Sequence, residues 1–119
     1  MISFIIPAYN EELELSSTIA AISAAASHAT QPHEIIVVDD ASADATAKIA
    51  ERAGVRVISI NRRQIAAARN AGARAANGQY LFFVDADTRI GQAHVVEGIA
   101  ARSRDKLELW YDGKRETGS

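Results

Sequence analysis

The stretch FFVDADTRI, residues 82–90, sets two carboxylates, Asp85 and Asp87, one residue apart directly behind an apolar run. In a partly desolvated setting two acids that close do not both stay ionised without a cation beside them or a proton shared between them. Oxygen donors of this kind select hard ions, Mn²⁺ or Mg²⁺, which keep several waters and take up phosphate oxygens. The chemistry on offer is a metal bridging the protein and a diphosphate. The competing reading is an acidic loop in which Asp87 or Thr88 caps the next helix.

A second pair, Asp39 and Asp40, closes another apolar run. In a doubly wound fold an acid at this place accepts hydrogen bonds from a nucleotide's ribose or base; the plainer alternative is that Asp40 opens the turn before a helix. Arg62, Arg63 and Arg69 supply the opposite sign, suited to a diphosphate or to the acids themselves, although exposed arginines are commonly just solvated. His28, His33 and His94 show no metal-site spacing and read as surface residues, and Trp110 and Tyr111 read as packing residues. IIPAYNEE follows the first strand where a dinucleotide fold needs Gly-x-Gly-x-x-Gly, so a nicotinamide or flavin enzyme is disfavoured, and there is no P-loop.

The elements that must hold these groups follow from periodicity. Four apolar runs, residues 2–6, 34–38, 55–60 and 80–84, are rich in β-branched or aromatic residues and predict strands. The first, second and fourth are apolar at consecutive positions, as strands covered on both faces are. Ala-rich helical segments lie between them. The first is entered at Asn10 as N-cap with Glu11 and Glu12 in its first turn. The second spans about residues 44–53, with Ser42 as cap and Gly54 as a left-handed stop. The third spans about residues 64–76 and is stopped by Asn77-Gly78, and a fourth follows Gly91 to about Ser103. The alternation predicts an α/β fold, an open, mainly parallel sheet with helices on both faces, whose ligands bind beyond the carboxyl ends of the strands. Pro7 to Glu11, Asp39 to Ser42, Asn61 to Arg63 and Asp85 to Thr88 all fall on that edge. The charged tail, residues 104–119, departs from the rhythm and carries a short LELWY strand or a final hairpin; residues 1–103 form the domain proper.

Composition narrows the partners. A net charge of -2 and a pI near 5.9 give no basic field for nucleic acid. The chain has no cysteine, in keeping with a reducing compartment, and no apolar run near the roughly 20 residues of a membrane span.

Taken in order, FIIPAYNEE, IIVVDDASAD and AAARNAGARAANGQYLFFVDADT resemble the nucleotide-binding half of family 2 glycosyltransferases, with the Rossmann-like GT-A fold, over about residues 2–100. The resemblance implies an inverting transfer of sugar from a nucleotide-diphosphate sugar to an acceptor hydroxyl, assisted by Mn²⁺ or Mg²⁺. It implies that Pro7, Tyr9, Asp39 and Asp40 bind the nucleoside, with Tyr9 against the base and Asp40 accepting a hydrogen bond from it. It also implies that Arg69, in an Arg-Asn-x-Gly segment with Asn70 and Gly72, serves the donor. Asp87 would be the principal metal ligand, with Asp85 on the ribose or a metal-bound water. The acceptor-side motifs of the family, including the acid that acts as general base, are not found after Asp87; Glu97, Glu108 and Asp112 lie outside their context, and no base is assigned. A truncation, frameshift or boundary near residue 100 would account for the changed tail, and an exposed apolar face left by an absent half would drive self-association.

Two other readings compete. A module that binds sugar nucleotide without transferring it fits the missing acceptor half. A haloacid-dehalogenase-like phosphatase would use Asp85 as nucleophile and Asp87 as general acid, but that motif follows the first strand of its fold rather than the fourth. The expected location is cytoplasmic, with membrane proximity only by analogy with transferases that use lipid-linked acceptors, an unknown saccharide or lipid here.

Overall fold

A computed structural model describes residues 1–28, 32–84, 96–103, 106–111 and 114–118, those from 96 onward by their backbone pairing. The order is β1 (Ile2–Ala8), α1 (Leu15–His28), β2 (His33–Asp40), α2 (Thr46–Arg52), β3 (Arg56–Ile60), α3 (Ile65–Ala75), β4 (Tyr80–Val84), β5 (Val96–Ser103), β6 (Lys106–Tyr111) and β7 (Lys114–Gly118). These strands form one sheet in the order β3-β2-β1-β4-β5-β6-β7. The first four pair in parallel and the last three antiparallel.

Consecutive side chains of a strand point to opposite faces, so an unbroken apolar run feeds two cores. Ile6, Ile35 and Val37 pack with Leu15, Ile19 and Ile22 of α1 and Ala50 of α2. Ile5, Ile36 and Val38 pack on the other face with Ala68 and Ala73 of α3. The expected α/β sheet with helices on both faces is therefore present. Each fully buried isoleucine contributes roughly 1.5–3 kcal/mol.

Local boundaries differ from expectation for identifiable reasons. Asn10 does not cap α1, which starts at Leu15 without an acid in its first turn. Its carboxamide is committed to the neighbouring loop, where Oδ1 accepts the Ala43 N–H at 2.8 Å. Ser42 is similarly diverted: its Oγ accepts the Asn10 N–H at 2.9 Å, while the Thr46 N–H at the start of α2 goes to Asp44 Oδ1 at 2.9 Å. Gly54 does take the left-handed conformation after α2, at φ 78°. The segment expected to be a fourth helix is instead β5 over its last eight residues, hydrogen-bonded to β4. Val96, Gly98 and Ile99 are poor helix formers, and without β5 the edge of β4 would leave its backbone groups unpaired. In the tail, β6 and β7 form the anticipated hairpin ladder. His33 is half-buried rather than a surface residue, edge-on to Phe4 with ring centroids 6.1 Å apart.

Gly78 acts by close approach instead of stopping α3, which already ends at Ala75 with Ala76 extended. Its N–H donates to the buried Ser3 Oγ at 2.8 Å. Ser3 in turn donates to Glu34 Oε2 at 2.6 Å, and Arg56 Nη1 donates to Glu34 Oε1 at 2.8 Å. Burial pushes the Glu34 carboxyl upward, but the Ser3 hydroxyl, the Asn77 N–H and the Arg56 guanidinium outweigh it and leave the pKa lowered. A Cβ on Gly78 would meet Ser3 Oγ at 2.5 Å and two backbone atoms, Met1 O and Ser3 N, at 2.8 Å. Backbone cannot give way as a side-chain end can. Gly78→Ala is expected to destabilise the protein by about 3 kcal/mol, combining overpacking with the strained hydrogen bond; a shift in urea midpoint at unchanged slope checks it.

Candidate functional site

Strand register brings the site together. Ala8 is level with Asp39, and Asp40 with Ile60, so Tyr9, Asp40 and the segment Asn61 to Gln64 leave the sheet along one edge. The chain runs outward from β1 to β2 and β3, and α3 then carries it back to β4 on the other side of β1. That reversal is the topological switch point at which open α/β sheets place ligands.

A cavity of about 350 Å³ opens there, walled by Pro7, Tyr9, Glu11, Asp40, Arg63 and Gln64 and continued by Ile65 and Ala68. It is of the size that holds a small ligand. Tyr9 is 38% exposed at its wall, and the Arg63 guanidinium carbon lies 3.7 Å from the Tyr9 ring centroid.

Asp40 is only 5% exposed and is used structurally as well as facing the cavity. Its Oδ1 accepts the N–H groups of Arg62 and Arg63, both at 2.8 Å, and its Oδ2 accepts the Gln64 N–H at 2.9 Å. Burial pushes its carboxyl upward, but the N–H donors of Arg63, Arg62 and Gln64 and the charge of Arg63 together hold the pKa below its ordinary value. With two bonds on Oδ1 and one on Oδ2, the carboxylate retains one acceptor direction on Oδ2. The carboxylate also lies at the amino end of α3, where the helix dipole favours negative charge.

The other two loops on this edge are tied to each other. Asn10 bonds to Ser42 and Ala43, the Glu12 N–H donates to Asp44 Oδ2 at 3.2 Å, the Ala45 N–H donates to Glu12 Oε2 at 3.1 Å, and the Glu11 N–H donates to Thr46 Oγ1 at 2.9 Å. Asp44 also takes the Thr46 hydroxyl. Its carboxyl is raised by burial and lowered more by these donors from Thr46 and Glu12, so the net shift is downward. Asn10, Ala41 and Arg63, one residue from each loop, are the described non-glycine residues with positive φ, at 52°, 59° and 52°. Such conformations persist where surrounding bonds over-determine them and concentrate at functional sites.

Of the residues singled out by pattern, Pro7, Tyr9, Asp40 and Arg63 line the cavity. Asp39 does not; it is buried, and its Oδ1 accepts the Ser42 N–H at 3.2 Å, shaping the turn after β2. Arg69 sits one turn into α3 and is also not among the lining residues. Asp85, Asp87 and His94 lie outside the described residues, as does Asp112, and among the described residues no group of three His, Asp or Glu is placed to hold a metal. Gln64, Ile65 and Ala68 were not flagged by sequence. A signal existed for Ile65, which continues the stripe of Ala68 and Gly72 along α3 yet is 57% exposed, because the first turn overhangs the edge of the sheet. Among the described residues no helix is long and apolar enough to cross a membrane.

The model of glycosyl transferase family 2 matches residues 3–106. Among curated relatives, the undecaprenyl-phosphate 4-deoxy-4-formamido-L-arabinose transferase of Serratia proteamaculans is 41% identical over 63 residues, half of this chain and 19% of that protein. Among solved structures, mannosyl-3-phosphoglycerate synthase from Rubrobacter xylanophilus superposes with a TM-score of 0.69 at 27% identity, covering 75% of this chain and 31% of its own. Glucosyl-3-phosphoglycerate synthase from Mycobacterium tuberculosis, solved with Mn²⁺ and uridine-diphosphate-glucose, gives 0.63 at 30% identity, with coverages of 73% and 33%. The chain thus spans a fifth of that relative's length and a third of these structures'.

Proposed function

The chain belongs to glycosyl transferase family 2, and on that premise we propose that it forms the donor-binding part of an inverting glycosyltransferase that moves a sugar from a nucleotide-diphosphate sugar to an acceptor hydroxyl. The observation that carries the reading is the cavity at the switch point, where Pro7, Tyr9 and Asp40 converge from β1 and β2. Tyr9 offers a ring on which a base stacks, and the open direction on Asp40 Oδ2 accepts a hydrogen bond from the base. Asp39 shapes the adjacent turn, and Arg69 and Asp85 complete the donor contacts. This family membership also leaves the phosphatase reading without support.

The group that fits the remaining acids is a divalent cation. β4 runs parallel to β1, so its carboxyl end at Val84 faces the same edge as Tyr9 and Asp40, and the carboxylates that follow it are the hard oxygen donors Mn²⁺ or Mg²⁺ requires. Asp87 would hold the ion with Asp85 beside it on the ribose or a metal-bound water. When bound, the ion offsets charge on the departing diphosphate. The solved neighbour that contains Mn²⁺ with uridine-diphosphate-glucose supports this choice.

Calorimetry with uridine and guanosine diphosphates, with and without Mn²⁺, tests the reading. One of them should bind, tightened by Mn²⁺ about tenfold, or 1.4 kcal/mol. Asp87→Ala should lose that dependence at an unchanged melting temperature. If neither diphosphate binds, or if the variant keeps its Mn²⁺ response, the assignment is rejected. Release of diphosphate from a sugar nucleotide in the presence of acceptor then separates a transferase from a module that only holds the donor.

A further inference from the structure

Arg63 occupies the place that the proposed function reserves for the base. Its guanidinium stacks on Tyr9 at 3.7 Å from the ring centroid, and both residues line the same cavity. A base between them would need about 7–8 Å from guanidinium to ring, twice the ordinary carbon–carbon contact of about 3.5–4.0 Å. The two planes in their present arrangement therefore exclude a stacked base on that face of the ring.

The backbone holds Arg63 in this post. Its φ of 52° is left-handed for a non-glycine residue. That conformation is pinned because Asp40 takes the N–H groups on both sides of the bend, from Arg62, Arg63 and Gln64. The side chain itself is held less firmly. It is exposed, stacks on the Tyr9 ring, and otherwise acts on Asp40 through its charge rather than through a side-chain hydrogen bond. An exposed cation–π contact is weak, whereas a guanidinium on a phosphate makes charge-assisted, paired hydrogen bonds.

We propose, resting on the donor-binding reading above, that Arg63 is a ligand-exchanged positioning residue of the nucleotide site: its guanidinium covers Tyr9 in the free protein, yields the ring to the base, and transfers to the diphosphate of the same ligand. One side chain thereby keeps an exposed aromatic surface covered when the site is free and reads the phosphates when it is filled. A nucleoside has to displace Arg63 and offers nothing in return; a nucleoside diphosphate supplies the new partner. The device favours phosphorylated ligands over free nucleosides.

The test compares uridine with uridine diphosphate, and guanosine with guanosine diphosphate in parallel, by NMR titration of the wild type, Arg63→Ala and Arg63→Gly. The glycine variant takes φ 52° without strain and keeps the comparison valid if alanine loosens the loop. Removing the guanidinium should tighten the nucleoside about two- to fivefold, the ratio equivalent of an exposed cation–π contact, and weaken the diphosphate about tenfold or more. Opposite movements establish the exchange. Nucleoside and diphosphate moving in the same direction, or a diphosphate affinity that does not fall, overturns it while leaving the donor-binding reading intact. A wild type that binds none of the four ligands removes the donor-binding reading, and this inference with it.

Discussion

Asp40→Ala is expected to lower the free energy of unfolding by about 2–4 kcal/mol and to weaken binding of a nucleoside diphosphate about a hundredfold. The stability term follows from three charge-assisted hydrogen bonds, at 2.8, 2.8 and 2.9 Å, lost from one carboxylate that is almost wholly buried. Bonds to a charged group are each about 1.5–3 kcal/mol, and the expected loss stays below their sum because Arg62, Arg63 and Gln64 are exposed and water can replace part of what is lost. The binding term follows because the same bonds fix the segment that walls the cavity and hold Arg63 in its left-handed turn. Urea unfolding and calorimetry measure the two terms separately.

Asp40→Asn sharpens the test through pH. The folded pKa of Asp40 is lowered, so the stability it contributes is complete above the ordinary aspartate value of about 3.9 and is lost as pH falls through the lower folded value. An amide cannot titrate there and presents one acceptor oxygen in place of two. The variant should be less stable at neutral pH and show a shallower loss of stability below about pH 4. Part of the acid limb should persist, since Glu34 and Asp44 are also shifted downward. An acid limb as steep as that of the wild type would mean that Asp40 does not anchor the loop as a carboxylate.

Gly72→Val is expected to have the second large effect, a loss of about 3 kcal/mol or more. Gly72 is buried on α3 where the helix crosses β1 and β2. A Cβ built there collides with Ile5 Cγ2 and comes within 3.2 Å of Val38 Cγ2 and 3.3 Å of Ile5 Cγ1. Ile5 and Val38 are fully buried in the core beneath α3 and have no free space into which to retreat. Replacing glycine by alanine in a helix ordinarily gains up to about 1 kcal/mol, but the collision outweighs that gain, so even Gly72→Ala should cost about 1–3 kcal/mol. Valine adds two methyl groups to the conflict. Ile5→Ala removes Cγ2 and Cγ1, the two Ile5 atoms that the new Cβ meets, so it should cost less in the Gly72→Ala background than alone, a coupling that a double-mutant cycle reads directly. Additive effects would refute the contact. Because the first turn of α3 carries Gln64, Ile65 and Ala68 to the cavity, a lifted helix should weaken nucleotide binding as well. The glycine of the Arg-Asn-x-Gly segment thus has a packing reason to be there, independent of any ligand.

Much of this was legible in the chain itself. The β-branched runs IIVV and LFFV announced central strands because burial on both faces removes the need for polar alternation, and their carboxyl ends announced the ligand edge because parallel strands must all end on the same side. The same reason put Pro7, Tyr9 and Asp40 on that edge, and the family resemblance singled them out there. Three things were decided only by tertiary structure. The segment Val96 to Ser103 became a strand, since Val96, Gly98 and Ile99 weaken its helix preference and the open edge of β4 supplied the hydrogen bonds. Asp40 became the anchor of a loop 22–24 residues further along, because its partners are backbone N–H groups whose direction depends on how β2 and β3 align. Arg63 came to rest on Tyr9, because a left-handed turn that no residue type there announces swings its side chain back over β1. Periodicity is a local property of the chain and can be read along it, whereas partners across the sheet are set by register and by which edges remain open, and these exist only once the strands have paired.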